Sequence, residues 1–173
     1  MRSIQLTLAM LLALIVGVAC SNRANTTSFG DSVKKALEQA DLKDVTVAED
    51  RDKNTITLGG KVHSENAKQQ AAEVAQAAAG NRIVANEISV QPVGEESAAR
   101  NIASNVDDAI EKNYKAALIS KGLDKESIRF NAKNGVITLK GRVKSPQAKQ
   151  EAQEIASNIP NVQQVLNELE VRR

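Results

Sequence analysis

The chain has few of the side chains on which catalytic and nucleic-acid-binding sites depend. Its 173 residues include one cysteine, one histidine, no tryptophan, one tyrosine and two phenylalanines. Nucleic-acid bases and sugar rings are commonly bound by stacking on aromatic side chains, so this scarcity argues against a nucleic-acid partner. A glycine-rich phosphate loop is also missing, because the pair Gly59-Gly60 lies within a predicted strand and does not precede a helix.

No pattern of acids, bases or nucleophiles indicates an enzyme. The single histidine, His63, has Lys144 as its counterpart in a later repeat of the sequence, so we expect a solvated strand residue. Asp50 and Asp52 fall at a predicted turn, where aspartate is favoured on conformational grounds, and a weak cation site there is the less favoured alternative. The sequence therefore predicts no catalytic residue, no cofactor and no metal site.

What the chain does contain is an internal duplication. Residues 55–64 (TITLGGKVHS) return 81 positions later as residues 136–145 (VITLKGRVKS). The same shift aligns residues 86–90 (NEISV) with residues 167–171 (NELEV), without insertion or deletion between these limits. Such a repeat indicates that one structural unit is present twice.

Both copies show the same order of predicted elements. Apolar residues at helical spacing come first, followed by two strands joined by a turn, a helix with an alanine stripe and a final strand. The turn of the second copy contains Asn134-Gly135, which is a strong hairpin signal. We predict an α+β fold of two tandem αββαβ domains, each a three-stranded mixed sheet with two helices on one face and water on the other.

Local signals give the expected ends of several elements. The first helix is predicted to start near Asp31-Ser32, and the first helix of the second copy near Asn105 or Asp107, although the sequence from Glu95 on could already be helical. The final strands are predicted at residues 83–90 and 162–171. Gly60 and Gly141 interrupt the inward stripe of the second strand of each copy, and we attribute them to close packing of the alanine-lined helix.

The first 28 residues are predicted to lie outside the folded domains. An apolar run follows Arg2, and the segment Gly17-Val18-Ala19-Cys20 resembles a bacterial lipobox, with Gly17 standing where leucine is usual. Residues 1–19 are therefore predicted to be a lipoprotein signal peptide, and Cys20 to be joined to a lipid carrying acyl chains such as palmitate. The alternative is an ordinary secreted protein with a free cysteine. Residues 20–28 are small and polar, as in a flexible tether.

The αββαβ order, the Val/Ile-Thr-Leu-x-Gly-x-Val-x-Ser centre and the closing Asn-Glu-hydrophobic-x-Val strand resemble the BON domain of bacterial envelope proteins. We place the two domains at residues 29–92 and 104–173, with a linker at 93–103. The resemblance implies a dual-BON lipoprotein of the cell envelope that supports envelope integrity. Ser21, directly after Cys20, resembles the choice for outer-membrane sorting, facing the periplasm. Because the family also includes periplasmic proteins induced by osmotic stress, it indicates fold and compartment more firmly than function.

Charge distinguishes the two copies. Residues 29–93 hold 8 Lys/Arg and 10 Asp/Glu, a net charge of −2, whereas residues 100–173 hold 13 and 9, a net charge of +4. For a protein tethered to a bilayer, the basic second domain is expected to bind anionic phospholipid headgroups. One candidate surface is the first helix of the second copy, with Lys112, Tyr114, Lys115 and Lys121. The other is a strand row of Lys140, Arg142 and Lys144.

Two alternatives to phospholipid binding stay open at this point. Both basic patches are equally consistent with faces that only keep the protein in solution. The second alternative is a periplasmic stress-response or chaperone-like module that uses its sheet edges and helices to bind envelope protein partners.

Overall fold

The computed structural model describes residues 28–172 of the chain. The predicted signal peptide at 1–19, Cys20 and all but the last residue of the predicted tether at 20–28 lie outside the described residues. In chain order the elements are α1 (Phe29–Gln39), β1 (Val45–Asp50), β2 (Thr55–Val62), α2 (Glu65–Ala78), β3 (Ile83–Asn86), β4 (Ser89–Val90), α3 (Glu96–Ser120), β5 (Ser127–Lys133), β6 (Val136–Val143), α4 (Pro146–Ser157) and β7 (Gln164–Val171).

The predicted αββαβ order and the two mixed sheets are confirmed. In the first domain β1 runs antiparallel to β2, and β3 and β4 follow one another in parallel along the other edge of β2. In the second domain β6 lies between antiparallel β5 and parallel β7. The hairpin between β5 and β6 turns at Asn134 and Gly135, whose φ angles of 49° and 81° belong to the positive region that an Asn-Gly turn requires.

The last strand of the first domain is split where a single strand over 83–90 was predicted. β3 ends at Asn86, whose Nδ2 donates to Lys68 O in α2 and whose Oδ1 accepts from Ile88 N. Glu87 N still donates to Leu58 O, so pairing with β2 is interrupted for only two residues. Asn167 makes the same two contacts in the second domain, to Lys149 O and from Leu169 N, while β7 stays continuous.

The helices that follow the central strands match their prediction. Ser64 and Ser145 cap α2 and α4, each accepting from the backbone N–H three residues later. The alanine stripe of α2 is buried against the first sheet, and that of α4 against the second. The predicted start of α1 was late by two residues, because the Ser28 hydroxyl caps the helix by accepting from Asp31 N.

The predicted start of α3 near Asn105 or Asp107 was wrong, whereas the alternative that the sequence is already helical from Glu95 on agrees with the structure. This helix begins at Glu96 and so includes most of the predicted linker, where the sequence favoured Asn105 or Asp107. No glycine or proline follows Gly94 in this stretch, so nothing interrupts helix formation. Asp107 lies within the helix, and its carboxylate accepts from Asn134 N and Gly135 N of the hairpin instead of capping its own helix.

The glycines of the central strands are structural, but for a different reason from the one expected. Gly60 has a φ of +92° and Gly141 a φ of +117°, a region that favours glycine. A Cβ at Gly60 would lie 2.2 Å from Asp44 O, and a Cβ at Gly141 would lie 2.0 Å from Ser127 O. The close neighbour is therefore the backbone that leads into the adjacent strand, and not the alanine-lined helix.

The prediction that water covers the face of each sheet opposite the helices was wrong in part. Ala85 of β3, Val136 of β6 and Leu166 of β7 point away from their own helices and bury one another between the domains. Thr55 of β2 is also buried, although it lies outside the main core of the first domain. We call the face of each sheet opposite its helices the open face. One end of each open face is thus covered by the other domain, and the opposite end remains uncovered.

Candidate functional site

The uncovered end of the open face of the second sheet carries the predicted strand row. Alternation along β6 directs Ile137, Leu139 and Val143 into the domain core, so Lys140, Arg142 and Lys144 lie on the opposite side. All three are exposed. Gln164 and Leu166 lie at the end of this face that the first domain covers, so the basic row begins where the domain contact ends.

The three members of this row differ in how far their charge is already neutralised. Lys140 Nζ lies 3.8 Å from Glu168, a carboxylate that also binds Lys53 of the first domain at 2.7 Å. Lys144 Nζ lies 3.4 Å from Glu126. Among residues 28–172 Arg142 forms no ion pair, although its strand neighbour in β7 is Glu170.

Two further arginines, Arg129 and Arg172, lie beside this row on the neighbouring chain segments and were not predicted from the sequence. Strand register places Arg129 of β5 opposite Lys140 and Ser127 opposite Arg142. Arg172, just after β7, donates from Nη2 to Ser127 Oγ at 2.8 Å. Arg129, Arg142 and Arg172 thus belong to three adjacent chain segments at one end of the sheet, and we name them the arginine cluster. Only the alternation within β5 could have suggested Arg129, and the register was needed to bring the three together.

The predicted basic surface on α3 contains fewer residues than expected. Lys112 and Lys115 are exposed, lie on one side of α3 and form no ion pair within the part of the chain that the structure describes. Ile119, four residues after Lys115, is 56% exposed beside them. Lys121 follows Lys112 by nine residues, about two and a half turns, so it faces the opposite side of the helix axis.

Tyr114 was predicted as part of the lipid-binding surface of this helix, but the structure places its side chain in the core. The side chain is completely buried, with its hydroxyl donating to Ala152 O of α4 at 3.1 Å. Its ring packs edge-on against Phe130 at a centroid distance of 4.9 Å. Burial raises the pKa of the Tyr114 phenol above its ordinary value of 10. Tyr114 therefore continues the buried stripe of Ile110 and Leu118 along α3.

No helix between residues 28 and 172 has both the length and the apolar content needed to cross a bilayer. Over the same residues, no three His, Cys, Asp or Glu side chains come together as a possible metal-binding group.

Comparison with known proteins identifies the family. The sequence model of the BON domain matches residues 26–92 and again residues 98–173. Osmotically-inducible protein Y of Escherichia coli strain K12 is 27% identical over 142 residues, which cover 81% of this chain and 69% of that protein. CdsD, a structural protein of the type III secretion system of Chlamydia trachomatis, matches 82% of this chain and 90% of its own at 11% identity and a TM-score of 0.36, which is too low to support an argument. The two family matches together span most of the sequence, and the chain belongs to the BON domain family.

Proposed function

We propose that this is a non-enzymatic protein of the bacterial cell envelope whose second BON domain binds anionic phospholipid headgroups. The observation that carries the proposal is the arginine cluster: three guanidinium groups at the uncovered end of a sheet, none of them in an ion pair among residues 28–172. Guanidinium groups bind phosphate oxygens through paired N–H donors, which suits them to phospholipid headgroups.

The electrostatics of this end of the sheet favour an anionic partner. The cations are Arg129, Lys140, Arg142, Lys144 and Arg172. The carboxylates beside them are Glu126, Glu168 and Glu170, so the cations outnumber the acids by five to three. The equivalent end of the first sheet has Lys61 where the second has Arg142, with Gly59 and His63 in place of Lys140 and Lys144. The second domain is therefore the better candidate for the membrane-facing unit.

The envelope setting rests on the N-terminal sequence and on a relative. The lipobox-like segment before Cys20 supports export and a lipid anchor, with the outer membrane favoured by Ser21. The name of the E. coli relative supports a role under osmotic stress. Anchoring by lipid would hold the arginine cluster within reach of a membrane surface, where each cation contributes on the order of 1 kcal/mol of binding free energy.

Vesicle binding tests the proposed partner. Residues 21–173 contain every described helix and strand, and this chain should co-sediment with vesicles containing phosphatidylglycerol but not with vesicles of phosphatidylcholine alone. Binding should weaken as salt is raised, because exposed charges are screened. Equal binding to both kinds of vesicle would contradict the proposal, and a stoichiometric protein partner recovered from a lipid-free extract would then favour the protein-interaction alternative.

Matched variants locate the contact on the protein surface. Replacing Arg129, Arg142 and Arg172 together by glutamine should weaken binding to phosphatidylglycerol by roughly 10- to 100-fold, given about 1 kcal/mol for each cation and partial compensation by neighbours. Lys61→Gln is the control, because this position is the counterpart of Arg142 in the first domain. It should leave binding within about twofold. Loss of binding in Lys112→Gln/Lys115→Gln, with the arginine variant unaffected, would move the site to α3.

The anchor is tested separately. Expressed with its signal in bacteria, the protein should be found with the membranes and should incorporate labelled palmitate, whereas Cys20→Ser should remove both properties. Unlabelled, soluble protein carrying an intact Cys20 would indicate ordinary secretion instead.

A further inference from the structure

A groove of about 600 Å³ lies where the two domains and α3 meet. Its walls are largely apolar: Ile88 and Val90 come from the first domain, Ala99, Ile102 and Val106 from α3, and Val162 from the loop after α4. Ile102 is 64% exposed, so one wall is open to solvent. Charged and amide side chains complete the lining, and a concave surface that combines apolar walls with placed polar groups is typical of small-molecule sites.

One of the charged residues that line this groove, Lys68, has no ionic partner among residues 28–172. Lys68 is only 8% exposed, and no carboxylate of residues 28–172 forms an ion pair with it. Its Nζ donates to Asn134 O at 3.4 Å and to Gln163 Oε1 at 3.5 Å, both at the outer limit for hydrogen bonds. Burial lowers the pKa of Lys68, and this effect outweighs the opposing influence of Glu65 and Asp107.

The equivalent lysine of the second domain has a close hydrogen-bond partner within its own domain. Lys149, 81 residues after Lys68, donates from Nζ to Leu169 O of its own domain at 2.6 Å. Lys68 instead reaches across to the second domain, where it meets only distant neutral oxygens. A buried ammonium with such weak partners is a place where an anion would be stabilised.

The acids around the groove limit what that anion can be. Asp107 is already engaged, because both of its oxygens accept backbone N–H groups of the hairpin. Glu65 and Glu95 line the groove as well and are exposed. The carboxylates that line the groove would repel a phosphate dianion more strongly than a monoanion whose single charge lies at Lys68 Nζ. The apolar walls favour a hydrocarbon chain behind that charge.

We propose that this groove binds a fatty-acid anion, with its carboxylate on Lys68 and its acyl chain along the apolar side of α3. The groove is separate from the arginine cluster, so this inference does not depend on phospholipid binding at the sheet. The proposed site lies at the junction of the two domains. It exists only because the domains are joined in tandem, since residues of the first domain, of α3 and of the loop after α4 all contribute to its walls.

Calorimetric titration of dodecanoate into residues 21–173, below the concentration at which the probe forms micelles, tests the site. One molecule should bind, and Lys68→Gln should weaken binding at least 10-fold. Lys149→Gln is the matched control and should stay within twofold. Dodecanol, which has the chain without the charge, should bind at least 10-fold more weakly than dodecanoate. The absence of dodecanoate binding, or equal binding by Lys68→Gln, would overturn the inference.

A second readout covers the case in which Lys68→Gln does not fold. Ala99→Trp introduces a large side chain at the groove wall and should prevent dodecanoate binding while leaving the circular dichroism of the protein unchanged. In the wild-type chain, dodecanoate should shift the methyl NMR signals of Ala99 and Ala103 but not those of Ala152 and Ala156, which are buried in the core of the second domain. Shifts confined to other alanines, or binding retained by Ala99→Trp, would place the fatty acid elsewhere.

Discussion

Lys53 and Glu168 form an ion pair of 2.7 Å that joins the β1–β2 hairpin of the first domain to β7 of the second. The reciprocal contact is present too, because Lys133 in the β5–β6 hairpin lies 2.9 Å from Glu87 of the first domain. Glu87 and Glu168 occupy equivalent positions of the repeat. The two copies therefore meet through the same part of each unit, in the manner of an isologous dimer interface within one chain.

The centre of this interface is small and depends on few side chains. Gln164 donates to Val84 O at 2.8 Å and accepts from Asn86 N at 3.3 Å, and Leu166 is buried against Ala85 and Val136. Because the apolar part consists of so few groups, a single charge placed there should separate the domains.

We expect Leu166→Asp to uncouple the domains. Calorimetry of residues 21–173 should show one unfolding transition for the wild type and two for the variant, since each sheet keeps its own core. Val171→Asp places the same charge on the same strand at a position that is 36% exposed, and should leave a single transition. Two transitions in the wild type, or one in Leu166→Asp, would show that this interface does not couple the domains.

A methyl group at Gly141 should be severely destabilising. The added Cβ would lie 2.0 Å from Ser127 O at a φ of +117°, so both the clash and the backbone conformation oppose it. We expect Gly141→Ala to lower the free energy of unfolding by at least about 3 kcal/mol, as measured by urea denaturation. Gly122→Ala is the control: its φ is +71° but nothing lies within 4 Å, so the loss should be about 1 kcal/mol. Similar losses in both variants would show that the clash has been relieved by movement of the strand.

The sequence was sufficient for the elements of each domain but not for how the domains meet. The repeat, the Asn134-Gly135 hairpin and the alanine stripes follow from periods of 2 and 3.6 residues, which are local properties. Those periods identify Ala85 and Leu166 as residues of the open face without indicating what covers that face. The arginine cluster also required the register of three strands, which a single sequence does not determine. Two helix starts had local signals that pointed to the observed residue: the absence of breakers after Gly94 for α3, and the capping residue Ser28 for α1.

Acid should weaken the first domain through Glu49. Hydrogen bonds from Ser28 Oγ, Gly30 N and Arg82, with the charge of Arg82, hold the pKa of this carboxyl at about 2, below its ordinary 4.5. Because the pKa is lowered by folding, the stabilisation is complete above about pH 4.5 and is lost as the pH falls toward 2. The melting temperature of Glu49→Gln should therefore lie below that of the wild type at pH 7, with the difference shrinking steadily between pH 4.5 and 2.

Glu73→Gln provides the comparison for that series, because within residues 28–172 the Glu73 side chain accepts a hydrogen bond only from the exposed side chain of Gln69. Its melting temperature should follow the wild type at every pH. A difference between Glu49→Gln and the wild type that does not change on acidification would show that Glu49 acts through packing and not through its charge.

The single tyrosine should report the unfolding of the second domain in alkali. Tyr114 is the only tyrosine in a chain without tryptophan, so phenolate absorbance near 295 nm arises from this residue alone. Burial raises its pKa, so the folded state favours the neutral phenol and loses stability as the pH rises above 10. Phenolate absorbance should therefore appear together with the loss of circular dichroism. Ionisation near pH 10 in a folded protein would mean that the side chain is accessible to water.

Tyr114→Phe separates a core role from a membrane role for this residue. The change removes the hydroxyl that donates to Ala152 O while keeping the ring against Phe130, so the free energy of unfolding should fall by about 1 kcal/mol. Binding to phosphatidylglycerol vesicles should stay within twofold of the wild type, because the ring is fully buried and cannot reach a headgroup without unfolding of α3. A variant that keeps its stability but loses vesicle binding would place Tyr114 at the lipid surface after all, and would require α3 to move away from the sheet when the protein binds a membrane.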